Sequence, residues 1–164
     1  KWMSIESPSL DIWKIAMTSL KQTALIVLTS ILLTACNGGG NSNSPDVKAR
    51  QDLMQDWRSA SDIMKGMMEN PASFDPATFK EQAYFIHESN QKMWAHFADA
   101  NAKGKGQDAI WTDAAGFKAK QDEFVTATTN LILAADSAKT AADVEQAFGK
   151  MTENCGGCHK AYKK

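Results

Sequence analysis

The sequence predicts an all-α protein, an antiparallel four-helix bundle. Three observations carry this reading. Four stretches place apolar side chains at three- and four-residue intervals, the signature of a helix with one buried face. Capping residues open three of them: Ser44-Pro45, Asp75-Pro76 and the box Thr140-Ala141-Ala142-Asp143. No stretch alternates apolar and polar residues as a half-buried strand would.

In the first helix, expected over residues 45–68, Arg50, Met54, Trp57, Ser61, Met64 and Met68 share one stripe, widened by Leu53, Ala60 and Met67. Asn70-Pro71 ends it. Phe79, Ala83, Ile86, Met93 and Phe97 mark a second helix reaching about residue 99. Residues 100–112 contain Gly104 and Gly106 and read as a loop that folds Ile110-Trp111 back onto the core. A third stripe uses Phe117, Phe124, Thr128, Leu131 and Ala135, and a fourth carries Val144, Phe148, Met151 and Cys155. The many methionines are suited to irregular gaps between helices.

The chain has 164 residues, which suits one domain. With 23% charged and 43% apolar residues it has the composition of a globular protein rather than a disordered or fibrous one. Residues 1–35 read as a signal segment, with Met17 as an alternative start. Their apolar run TALIVLTSILLTA is 13 residues long, too short to span a bilayer comfortably. Leu33-Thr34-Ala35-Cys36 resembles a bacterial lipoprotein processing box, which makes Cys36 the expected lipidation site and membrane anchor. A conventional cut near Ala35 and an uncleaved anchor are the alternatives. Residues 36–45 then form a flexible tether and 46–164 the folded domain. Residues 36–164 carry 15 basic and 17 acidic side chains, interspersed along the chain. Nucleic acid is thereby a poor partner, since phosphate binding needs concentrated positive charge.

The chemistry lies near the C-terminus, in Cys155-Gly156-Gly157-Cys158-His159. Two thiols at this spacing can add across the vinyl groups of a haem, and the adjacent imidazole can bind its iron. A thioredoxin-like dithiol would follow a strand, and zinc would need further soft ligands where only Cys36 remains. One covalent haem c, with His159 as an iron ligand, is the expectation. Export agrees with it, because bacterial c-type haem attachment occurs outside the cytoplasm.

These residues, with Arg50-Gln51, Ile110-Trp111 and Tyr162-Lys163, resemble the class II cytochromes c, comprising cytochrome c prime and cytochrome c-556. The resemblance covers residues 46–164 and implies haem bound near the C-terminal helix, with Arg50 and Gln51 beside its propionates. It implies that Met54 faces the open side of the iron. Lys163 stands where the family usually has arginine, which keeps the charge and loses the bidentate fork. Met54 as sixth ligand would make the protein a low-spin electron carrier, serving redox partners in the periplasm from a lipid-anchored position on the membrane. The alternative is a five-coordinate cytochrome c prime that binds nitric oxide or carbon monoxide. His87 and His96 are rival ligands, while Trp57, Trp94 and Trp111 read as packing residues. The family also forms dimers, so a homodimer is a further expectation. Asn37, in place of an aspartate after Cys36, favours the outer membrane. No acid-base or nucleophile constellation outside this motif suggests an enzyme.

Overall fold

A computed structural model describes residues 42–164. The expected signal segment, Cys36 and most of the tether lie outside the described residues. Among the described residues no helix is long and apolar enough to cross a membrane.

Among the described residues five α-helices follow one another: α1 (Pro45–Glu69), α2 (Pro76–Ala95), α3 (Ala109–Thr112), α4 (Ala114–Ser137) and α5 (Glu145–Tyr162). Single 3-10 turns at Pro71–Ser73 and Ala141–Asp143 join them. The all-α expectation holds, while the simple four-helix count needs correction. Residues 100–112 are not all loop, because Trp111 and Thr112 donate their backbone N–H groups to the Asp108 carbonyl and close the turn α3. Burial of Ile110 against Phe117 and Tyr162 holds that turn in place. The second helix also ends earlier than its stripe suggested. The N–H of His96 turns back to the carbonyls of Met93 and Trp94, so Phe97 lies beyond the helix while still packing on the core.

Two of the expected caps open their helices, while the third opens a 3-10 turn ahead of the last helix, which begins at Glu145. Ser44 accepts from the Asp46 N–H at 3.2 Å, and Asp75 accepts from the Thr78 N–H at 3.1 Å. Thr140 and Asp143 form a reciprocal capping box that starts the last 3-10 turn.

Packing runs α1 on α2, α2 on α4, and α4 on α5. Trp57, Met64, Phe79, Ile86, Met93, Phe124, Leu131 and Met151 form the main core. Burial of each such side chain is worth about 1.5–3 kcal/mol. Two polar threads cross this core: Trp57 Nε1 donates to Ser89 Oγ at 2.6 Å, and Asn90 Nδ2 donates to Thr128 Oγ1 at 3.2 Å, while Asn90 Oδ1 is buried without a partner. In contrast, α1 and α5 share no extensive interface. Leu53 and Met54 from α1 and Cys155 from α5 remain only partly buried at the edge of the main core.

Candidate haem site

Helix α5 continues without a break through Cys155-Gly156-Gly157-Cys158-His159, so the two thiols lie three residues apart, about one turn, along a single helix. Both cysteines are free and half-buried. Cys155 packs against the main core, and Cys158 against the smaller cluster of Ile110, Phe117 and Tyr162. The pair therefore bridges the junction of the two clusters. Burial, reinforced by Cys158, pushes the Cys155 thiol up to about 11. Burial also raises the Cys158 thiol, against the opposing charge of Lys120. His159 is depressed, first by burial and then by Lys163.

The end of α5 is fixed from outside. Tyr162 donates its phenol to Asp113 Oδ2 at 2.9 Å, and that carboxylate also caps α4 by accepting from the Gly116 N–H. A Cβ added at Gly156 or Gly157 would meet nothing within 4 Å beyond its own turn of helix. Crowding by the protein therefore does not account for either glycine, and both leave the surface beside the thiols open.

Arg50 on α1 is 6% exposed. Its Nη2 donates to the carbonyl of Ala102 and, at 3.4 Å, to that of Lys103. The other terminal nitrogen, Nη1, is buried without a partner, as is Nε1 of Trp94. Phe97 links the two residues: its ring centroid lies 6.2 Å from that of Trp94 and 4.5 Å from the Arg50 guanidinium carbon. Met54 lies one turn beyond Arg50, partly buried against the core, and Gln51 is exposed. The rival ligands are engaged elsewhere. His87 Nδ1 lies 3.2 Å from Thr128 Oγ1, and His96 Nδ1 lies 2.9 Å from Asp46 Oδ1. Trp111 donates to the Phe97 carbonyl at 2.8 Å. Among the described residues no cluster of three or more His, Cys, Asp or Glu could hold a metal ion.

These residues fit a covalently attached haem. Two free thiols adjoin an imidazole on an open surface, and a buried cationic nitrogen lacks an acceptor that a propionate could supply. The reading of Trp94 as packing alone missed its unpaired N–H. Such a deficit depends on what surrounds the indole in space, and residue spacing carries no signal of it.

A helical bundle whose last helix carries Cys-x-x-Cys-His has the features of the bundle class of c-type cytochromes. The family model described as Cytochrome C' matches residues 46–163. Cytochrome c' from Alcaligenes xylosoxydans xylosoxydans is 32% identical over 121 residues, which is 72% of this chain and 92% of that protein. A nitric oxide complex of a leucine-to-alanine variant of cytochrome c prime from Alcaligenes xylosoxidans superposes with a TM-score of 0.68 at 31% identity, covering 73% of this chain and 93% of that one. Cytochrome c prime from Shewanella frigidimarina gives a TM-score of 0.67 at 27% identity, covering 73% and 94%. The chain belongs to the cytochrome c' family.

It follows that its cofactor is a single covalently bound haem c and that the protein is not an enzyme. The same finding corrects the expectation of a six-coordinate electron carrier with Met54 on the iron. The relatives are cytochromes c', typically five-coordinate, and several variants of the Alcaligenes protein have been solved with bound nitric oxide. The physical reason for the error is that a thioether ligates only if its helix delivers the sulfur to bonding distance. A methionine at the right sequence position is equally compatible with a cover that stops short of the metal.

Proposed function

We propose that this protein binds a small diatomic gas, nitric oxide above all, at a five-coordinate haem c on the periplasmic side of a bacterial membrane. Cys155 and Cys158 would hold the haem covalently, each thiol adding across a vinyl group with its sulfur on one carbon and its hydrogen on the other, so that no oxidant would be needed. His159 supplies the proximal nitrogen. When bound, haem c supplies an iron with one position left for the gas. Met54, partly buried at the edge of the core, would cover that position as an apolar side chain without bonding to the iron. Arg50 and Gln51 would hold the propionates, one of which would give the unpartnered Nη1 of Arg50 an acceptor. Cys36 carries the lipid that tethers the domain, with the outer membrane as its site.

The observation that carries this reading is the family match across residues 46–163, together with the nitric oxide complexes solved for the Alcaligenes relative. Optical and electron paramagnetic resonance spectra of the exported, haem-loaded protein test it. High-spin ferric and ferrous spectra, with nitric oxide and carbon monoxide binding after reduction, are expected. A low-spin ferrous spectrum unchanged by either gas would overturn it.

A further inference from the structure

Gas binding at ferrous haem requires something to reduce it, and the surface beside the haem motif has the charge to receive a donor. The loop at residues 103–107 is stitched to the end of α5. Gln107 N donates to the Tyr162 carbonyl and Lys164 N to the Lys105 carbonyl, both at 2.9 Å, and Gly106 pairs with Lys163 in an antiparallel bridge. Gln107 Nε2 adds a bond to the Lys163 carbonyl at 3.0 Å. This stitching brings Lys105 to the exposed Lys163 and Lys164, with Lys160 one turn earlier on α5. Lys160 directly follows His159, and the Lys163 N–H is bonded to the His159 carbonyl at 3.0 Å.

Among the described residues none of these four ammonium groups is in an ion pair, nor are the isolated Lys92 and Lys139, whereas Lys48, Lys65, Lys80, Lys118, Lys120 and Lys150 each pair with a carboxylate. Lys103 at the edge of the cluster is paired with Asp108 at 2.8 Å, and Lys164 also acts on that carboxylate. The remainder of residues 36–164 holds 11 basic against 17 acidic side chains. An unpaired positive patch thus stands on an acidic domain, and it adjoins the residues read as haem ligands.

We propose that Lys105, Lys160, Lys163 and Lys164 form the docking surface for the acidic face of a one-electron redox protein that reduces the haem. The inference rests on the haem reading above. One electron leaves the partner's reduced centre and converts ferric to ferrous haem c; no atom or proton need move between the proteins. A membrane surface fits the patch less well, because interfacial binding couples basic residues to inserted apolar ones. The exposed large apolar side chains, Ile63, Phe85, Val125 and Leu133, all lie on other elements. Complementary charge of this kind steers encounter and orients the partner more than it adds affinity.

The probes are two small reductants of opposite charge, the anionic iron(II)-EDTA complex and cationic hexaammineruthenium(II), mixed in stopped flow with the ferric holoprotein. Haem content measured beforehand by the pyridine haemochrome assay separates failure of this proposal from failure of the haem reading. Between about 10 mM and about 300 mM salt, where the screening length shrinks several-fold, reduction by the anionic complex should slow by about fivefold or more. The quadruple variant Lys105→Glu, Lys160→Glu, Lys163→Glu, Lys164→Glu should reverse that slope, and the double variant Lys105→Glu, Lys160→Glu should flatten it even if the quadruple fails to fold. Lys139→Glu, at the start of the last 3-10 turn, should leave it unchanged. Reduction by the anion that quickens with salt in the wild type would overturn the proposal. So would variants that keep the wild-type slope while losing co-sedimentation with phosphatidylglycerol vesicles, an outcome that assigns the patch to lipid.

Discussion

The guanidinium carbon of Arg50 lies 4.5 Å from the centre of the Phe97 ring, and Nη2 of the same group donates to the Ala102 carbonyl. One buried cation thereby ties α1 to the segment that follows α2. Burial lowers the pKa of this arginine, opposed by Asp46, yet a guanidinium stays charged across the working range. Its interactions are therefore constant with pH and lost only by substitution. Arg50→Ala should cost roughly 2–3 kcal/mol, the scale of a lost hydrogen bond to a charged group plus lost packing. Arg50→Lys should recover part of this, since an ammonium retains the charge without the planar fork. Urea unfolding of the haem-loaded protein measures both, and equal stability of Arg50→Ala and wild type would contradict the role given to this contact.

Met54 is only partly buried at the edge of the core, so its truncation should disturb the fold less than a fully buried methionine would. If it covers the iron without bonding, Met54→Ala should leave the ferrous spectrum high-spin and speed carbon monoxide association by about tenfold, equivalent to ~1.4 kcal/mol of barrier. A change of spin state on substitution would instead mean that the sulfur had been a ligand.

Leu131 and Leu133 separate what the sequence made legible from what it did not. Both lie in one apolar run, yet Leu131 is fully buried and Leu133 is 62% exposed. Helical period put Leu131 on the inward stripe and left Leu133 off it, so this part of the core could be read in advance. Leu131→Ala should cost about 2–5 kcal/mol, and Leu133→Ala should fall within about 0.5 kcal/mol of wild type. Thermal unfolding of the two variants checks the contrast.

The haem motif was legible for a different reason: its chemistry requires contiguous residues on one turn of helix. Arg50's carbonyl partners, the Trp94 N–H deficit and the tie between residues 103–107 and α5 depend on segments distant in sequence, and no local spacing encodes them. The five-coordinate alternative was named from the sequence but could not be preferred there, because Met54 satisfies the sequence pattern of a ligand and that of a cover equally. The short helix α3 escaped notice because a four-residue turn has no period to detect, and what stabilises it is burial of Ile110 against residues from α4 and α5.

Fractionation tests the anchor proposed at Cys36. The full-length protein expressed in a Gram-negative host should sediment with membranes and incorporate labelled palmitate. Cys36→Ala should be recovered without the label. Equal palmitate incorporation in both would rule out this cysteine as the lipid site, and would leave the proposal of gas binding untouched.

Cys155 supplies a pH test that distinguishes haem-free from haem-loaded protein. Its folded-state pKa is raised from an ordinary 9.0 to about 11, chiefly by burial. Below pH 9 the thiol is protonated in both folded and unfolded chains, and its neutral form is compatible with burial. Between pH 9 and 11 the unfolded chain releases the proton while the folded chain still holds it. Linkage then requires stability to fall as pH rises across that window, by at most roughly 3 kcal/mol in total. Denaturant unfolding of the haem-free protein at successive pH values should show this decline, and Cys155→Ala should shrink it. In the haem-loaded protein the proposed attachment would make this sulfur a thioether with no proton to lose, so the Cys155 contribution should vanish. A decline of the same size in both forms would mean that this thiol is not the group responsible.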